Sequence, residues 1–169
     1  MSTSGCILKK KDEYNIENMI KDIKTSIVNS KLYMRGDEIV NYPNGSFDYF
    51  NIGIFDKIGF NLNSDDFGNE EVSQGQSVSF YVCSINEKFH GDDEFDWVSK
   101  GDKLYTVAYI ENIIDNEELA FRFIYEYLKL NPQDYFWVED DWVYTLKDLE
   151  RLSKLPFDEY WCYKNPNIE

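Results

Sequence analysis

Apolar residues recur along this chain with two different spacings, and the order of those spacings limits the folds that it can adopt. Steps of three and four, which place side chains on one face of a helix, occur in three segments. The first follows Asn15, the second follows Asp115 and Glu118, and the third follows Thr145 and Asp148. In the last two, a side-chain oxygen precedes a carboxylate by three residues, which is the spacing of a capping box. We therefore predict three helices.

Strand-like segments, rich in β-branched and aromatic residues, fill much of the remaining chain. A Gly-Asp turn at residues 35–37 predicts one hairpin, and the Tyr-Pro-Asn-Gly sequence at 42–45 is a strong turn signal. The order of helix, strands, helix, short strands and helix predicts an α+β fold, with a mainly antiparallel sheet and about three helices packed on it. The predicted strand segments include 47–55, 77–85, 103–111, 135–138 and 142–144.

The length of 169 residues predicts one domain with a sizeable core. Residues 1–13 are small and polar and then basic, so we predict a flexible leader there and a single domain over residues 14–169. Aromatic residues make up 17% of the chain, which is far too many for a disordered protein.

The net charge of the chain limits the kinds of partner that it can bind. The chain has 17 basic and 32 acidic residues and a formal net charge of −15, and residues 85–169 hold 20 of those acids. Such a field repels nucleic acid and acidic membranes and attracts a basic protein. We therefore expect neither direct nucleic-acid binding nor membrane binding. No window of 18 apolar residues is present, so we expect no transmembrane helix.

The three cysteines are sparse and odd in number, and the first eleven residues contain no apolar core of a signal peptide. We therefore predict free thiols in a reducing, cytoplasmic compartment. Cys83 lies in an apolar run and is predicted to be a small buried side chain.

Most catalytic constellations are excluded by composition. His90 is the only histidine, and the glycine-rich phosphate-binding and nucleophile-elbow motifs are missing. An EF-hand match at residues 63–68 fails because Phe67 occupies a ligand position. The chain is therefore not expected to be an enzyme, and no cofactor or metal is predicted.

Acidic runs interleaved with tryptophans are the most informative remaining feature. Large aromatic anchors surrounded by carboxylates are typical of tight protein interfaces. Trp137 alternates with apolar neighbours and is better explained as a core residue, whereas both explanations stay open for Trp97 and Trp142. The predicted partner-binding residues are Asp92, Asp93, Glu94, Asp96, Trp97, Glu139, Asp140, Asp141 and Trp142.

In size, acidity and layout the chain resembles bacterial immunity proteins of the polymorphic-toxin or contact-inhibition kind. Its nearest local features are the aromatic segment 121–128, the Asn-Pro pair that follows at 131–132, and Asp140-Asp141-Trp142. The resemblance implies a protein that binds a basic toxin, with nucleases as one class, and blocks its active site with acidic and aromatic side chains.

Three alternatives stay open. A phage-type nucleic-acid mimic of the anti-restriction or anti-CRISPR kind would use carboxylates in place of phosphates, in regular rows. A small carboxylate- and metal-dependent enzyme would bind Mg²⁺ or Mn²⁺ at its acidic loops. A general interaction domain would use its charge only for solubility.

Overall fold

A computed structural model describes residues 4–57, 75–85 and 94–168. These residues form one antiparallel sheet with strand order β2-β3-β4-β5-β1-β6-β7, and helices pack on it. The predicted α+β class is confirmed. The strands are β1 (Ser4–Lys10), β2 (Tyr33–Asn41), β3 (Phe47–Phe55), β4 (Ser77–Cys83), β5 (Leu104–Glu111), β6 (Tyr135–Trp137) and β7 (Val143–Tyr144), and the α-helices are α1 (Ile16–Asn29), α2 (Glu117–Leu130) and α3 (Leu146–Leu152).

Strand β1 corrects the prediction of a flexible leader. Residues 4–10 pair with β5 on one side and with β6 on the other, so they lie inside the sheet. Cys6, Ile7 and Leu8 are almost completely buried. The prediction failed because a basic run that begins at Lys9 is typical of exposed chain. In the structure the Lys9 side chain is instead buried and pairs with Asp134.

The helices cover one face of the sheet. Met19, Ile23 and Ile27 are buried on α1, in agreement with the predicted periodicity. Phe123 of α2 meets Phe80 of β4 edge to face, with ring centroids 4.9 Å apart. Alternate residues of the central strands complete this main core, because side chains alternate between the two faces of a strand. These core strand residues include Phe50, Ile52, Ile54, Val78, Phe80 and Val82.

Of the two predicted capping boxes, the one at α3 is confirmed and the one at α2 is wrong. Asn15 caps α1 by accepting from the Asn18 backbone N–H, and Thr145 and Asp148 form the predicted capping box of α3. The predicted box at Asp115 is wrong, because Asn116 occupies the N-cap and Asp115 has a φ of +67°. The Asn116 amide oxygen instead accepts from the Ser77 N–H at 2.7 Å, which ties the start of α2 to β4.

Two turn predictions have different outcomes. The turn after Tyr42 joins β2 to β3, with Gly45 at a φ of +83°, as predicted. The hairpin predicted at residues 35–37 is wrong, because these residues are part of the single strand β2. Gly36, at a φ of +64°, instead forms part of a bulge between Arg35 and Glu38.

A smaller apolar cluster lies on the opposite face of the sheet, away from the helices. Leu8, Phe95 and Leu104 are buried there, with Trp137 packed against them. This cluster holds the segment that begins at Glu94 against one half of that face. Within the described ranges, no helix is both long enough and apolar enough to cross a membrane.

Candidate functional site

The other half of the sheet face that points away from α1, α2 and α3 carries tyrosines. Register places Tyr49 opposite Cys83, Tyr81 opposite Asn51, and Tyr109 opposite Tyr81. Each of these residues alternates with a core residue on its own strand, so its side chain lies on the face away from the helices. We call this surface, formed by Tyr49, Asn51, Tyr81, Cys83, Tyr109 and Glu111, the tyrosine face.

The tyrosine face bounds a shallow, open cleft of about 520 Å³. Its tyrosines are half-buried, so their rings present apolar area while the hydroxyls remain available for hydrogen bonds. Carboxylates of Asp48 and Glu111 lie at its border. The full lining is Tyr42, Asp48, Tyr49, Asn51, Tyr81, Cys83, Ser84, Tyr109 and Glu111.

Electrostatics connects this surface with two of the predicted acids. Burial raises the pKa of Tyr109 to about 12, and the negative charges of Glu94 and Glu139 act in the same direction. The carboxylate of Glu139 also helps burial to raise the pKa of the neighbouring Cys6 thiol to about 12. Register agrees with this, because Cys6 lies opposite both Tyr109 and Trp137, and the segments that carry Glu94 and Glu139 adjoin Trp137.

Packing explains why these two acidic segments come together. Phe95 is buried and meets Trp137 edge to face, with ring centroids 5.3 Å apart. The Trp137 indole N–H in turn donates to the Asp140 carbonyl at 2.8 Å, which fixes the loop after β6. We call the exposed acids of the two segments, Glu94, Asp96, Glu139, Asp140 and Asp141, the acidic rim.

The predicted tryptophans have three different surroundings. Trp137 packs in the smaller cluster, in agreement with the core explanation. Trp97 is 49% exposed and lies on the segment that supplies Glu94 and Asp96 to the acidic rim. Trp142 is half-buried against the main core, and its indole N–H donates to the Tyr144 hydroxyl at 3.3 Å. The structure therefore places Trp142 with the helix-side core and not with Trp97.

Several predicted features lie outside the described residues. Asp92 and Asp93 of the predicted site are among them, as are His90 and the failed EF-hand match at residues 63–68. The site is therefore built only from residues 4–57, 75–85 and 94–168.

Sequence reasoning missed the tyrosines, although a signal for them was present. Tyr81 and Tyr109 each stand between apolar residues that face the core, so alternation alone places them on the other face. Tyr81 and Tyr109 lie directly opposite each other on adjacent strands, and Tyr49 lies two residues from the position opposite Tyr81. This arrangement becomes visible only when strand order and register are known.

Cys83 supplies a thiol to the cleft. Burial raises the pKa of the Cys83 thiol, with the Asp48 charge acting in the same direction, so the thiol is protonated at neutral pH. In the described part of the chain, no group of three or more His, Cys, Asp or Glu side chains is placed to hold a metal ion. No protein-family model, curated protein or solved structure matches the chain.

Proposed function

We propose that this chain binds and neutralises a basic protein through the tyrosine face and the acidic rim, as an immunity protein does with its toxin. The observation that carries this proposal is the junction of the two surfaces in the sheet: Cys6 lies opposite Tyr109 of the tyrosine face and opposite Trp137, which contacts both segments of the acidic rim. Tyrosine rings supply contact area at low entropic cost, while surrounding carboxylates steer a basic partner into place.

The exposure of the acidic rim and the net charge of the chain also support binding to a basic partner. The acids of the rim are exposed, so a basic partner can approach them from solvent. With a net charge of −15, the chain attracts a basic surface, and the shallow cleft of the tyrosine face offers a place for a partner's side chains. A toxin whose cleft binds an anionic substrate has the complementary charge.

The first experiment is affinity capture from the source cells with the tagged chain, at low and then at high salt. The captured protein is then purified and its activity is measured with and without this chain. We expect one basic protein whose activity falls in proportion to the complex formed. A captured protein that remains fully active in the complex contradicts neutralisation.

Matched variants then test the surface. Tyr81→Ala should weaken binding by about thirtyfold if the ring is an interface anchor, because anchors contribute about 2 kcal/mol or more. Tyr160→Ala, which removes a 52% exposed tyrosine on the C-terminal segment, is the control and should leave the dissociation constant unchanged. Equal effects of the two substitutions would refute the assignment of the tyrosine face.

Two double variants with the same change of net charge test the acidic rim. Asp140→Asn with Asp141→Asn should slow association at low salt, and the difference should shrink as salt screens the charges. Asp12→Asn with Glu150→Gln changes the net charge equally at exposed positions elsewhere and should slow association less. Displacement of the captured protein by DNA would instead favour nucleic-acid mimicry.

A further inference from the structure

Strand β2 forms one edge of the sheet, and almost its whole length is exposed. It is nine residues long, and only Val40 among them is half-buried. In residues 4–57, 75–85 and 94–168, no strand pairs with its outer side. Such an edge presents unpaired backbone N–H and C=O groups, which can pair with another strand.

The apolar side chains of this edge are accessible. Tyr33 is 45% exposed, Met34 is 37% exposed and Ile39 is 57% exposed. Large exposed apolar residues on both halves of an edge strand are unfavourable for a monomeric protein, because they promote unwanted pairing with other chains. Their presence indicates that β2 has a partner.

The bulge in β2 sets the faces on which its side chains lie. Arg35 is opposite Gly53 and Glu38 is opposite Asn51, so two residues of β2 lie opposite Ile52 alone. In a regular strand, residues three apart point to opposite faces. The bulge places Arg35 and Glu38 on the same face.

This arrangement makes β2 complementary to itself. When two copies pair antiparallel about a twofold axis perpendicular to the sheet, opposing residues must share a face. With the axis between Gly36 and Asp37, Arg35 lies opposite Glu38 of the second copy, and Met34 lies opposite Ile39 of the second copy. Met34 and Ile39 meet this condition as well, because their β3 neighbours Ile54 and Phe50 both face the main core. Without the bulge, this register would place Arg35 and Glu38 on opposite faces.

We propose that β2 is a homodimer interface, in which the β2 strands of two copies pair antiparallel with Arg35 opposite Glu38 of the second copy. Each interface then contains two such ion pairs and two Met34–Ile39 contacts, and the two sheets become continuous. Asp37, which lies next to the axis, already pairs with Lys24 at 2.6 Å, so its charge is compensated within each copy.

Local complementarity has to overcome the repulsion between two copies that each carry a net charge of −15. At physiological ionic strength the screening length is about 8 Å, so distant charges contribute little, while pairs in direct contact across the strands still interact. We therefore expect the dimer at moderate salt and a weaker one at low salt.

The test is the molar mass in solution, measured by light scattering or sedimentation over a range of concentrations at moderate salt. The wild-type chain should approach twice 20.1 kDa as its concentration rises. Arg35→Glu alone and Glu38→Arg alone each create two like-charge contacts, and each should raise the dimer dissociation constant about tenfold or more. The double variant R35E/E38R restores both pairs in reverse and should restore the dimer.

Controls and a register test complete the design. Lys147→Glu and Glu150→Lys reverse exposed charges on α3 and should leave the dimer unchanged. A mixture of Met34→Cys and Ile39→Cys chains should form a disulfide-linked dimer under mild oxidation, whereas either chain alone should form much less. Circular dichroism confirms that each variant is folded.

Three results would overturn the proposal: a wild-type chain that stays monomeric at every concentration, a double variant no more dimeric than the single ones, or single variants that dimerise like the wild type. Monomeric wild type together with capture of an extended peptide at β2 would assign the edge to a different partner.

Discussion

Replacing Lys9 with methionine tests whether a buried ion pair anchors the central strand β1. Lys9 is 5% exposed and Asp134 is 2% exposed, and the Lys9 ammonium lies 2.9 Å from Asp134 Oδ2. The same ammonium donates to Asn131 Oδ1 at 3.1 Å, and the Tyr127 hydroxyl donates to Asp134 Oδ2 at 2.8 Å. The network therefore joins β1, the end of α2 and the start of β6.

Removing the ammonium leaves a buried carboxylate with Tyr127 as its remaining partner in this network. Breaking a buried pair on one side costs about 3–5 kcal/mol of unfolding free energy, which is a large share of the roughly 5–15 kcal/mol that stabilises a domain. Lys10→Met is the matched control. Lys10 pairs with Asp102 at 3.2 Å, but both side chains are more than one third exposed, so we expect little change.

The loss of unfolding free energy caused by Lys9→Met should become smaller as the pH falls. Burial raises the pKa of Asp134 above its usual range although Lys9 opposes that shift, so removing Lys9 should raise the pKa further. A raised carboxyl pKa means that the folded state binds a proton more readily than the unfolded state. The variant therefore gains stability relative to wild type as the pH falls through that pKa, and its deficit is largest at neutral pH.

Urea unfolding, followed by circular dichroism, measures the effect at neutral pH and at about pH 5. We expect Lys9→Met to lower the unfolding midpoint strongly at neutral pH and less at the acidic pH, with Lys10→Met close to wild type at both. If Lys9→Met matches Lys10→Met at neutral pH, or if its deficit does not change with pH, the ion pair does not anchor β1.

Three further predictions concern the same framework. A Cβ at Gly5 would lie 2.4 Å from the buried Phe136 ring, so Gly5→Ala should lower the thermal midpoint and cost about 1–3 kcal/mol. Thr145→Ala removes the cap of α3 and should cost about 1 kcal/mol in urea unfolding, whereas Thr145→Ser should retain most of the stability. A thiol reagent at mildly alkaline pH should label the half-buried Cys83 first and Cys6 only after unfolding, because burial raises the pKa of Cys6 to about 12. Rapid labelling of Cys6 in the folded protein would contradict the position of β1.

The amphipathic helices and the apolar strands could be predicted because their patterns repeat over several turns or pleats. Helix α1 begins one residue after Asn15, and α2 and α3 carry the expected apolar residues. Strand β1 could not be predicted in this way. Its seven residues end in two lysines, and the burial of Lys9 depends on a carboxylate more than 120 positions away.

The candidate site was predictable in part for a similar reason. Local sequence showed that acids and tryptophans alternate around residues 94–97 and 139–142, and it correctly separated Trp137 as a packed residue. It could not show that the segments of Glu94 and Glu139 meet near Tyr109, because that depends on the order β5-β1-β6 and on the packing of Phe95 against Trp137. It also could not show that Trp142 belongs to the helix-side core.

The proposed binding surface lies away from the main core, so mutations can test the proposed function separately from stability. The main core lies between the sheet and the helices, so the exposed acids of the acidic rim contribute little to it. Exposed carboxylates lose almost no hydration on folding, and neutralising a few of them changes the free energy of unfolding little. A rim variant that loses binding while it keeps its unfolding midpoint therefore reports on recognition. A core variant such as Lys9→Met should do the reverse at temperatures where it stays folded.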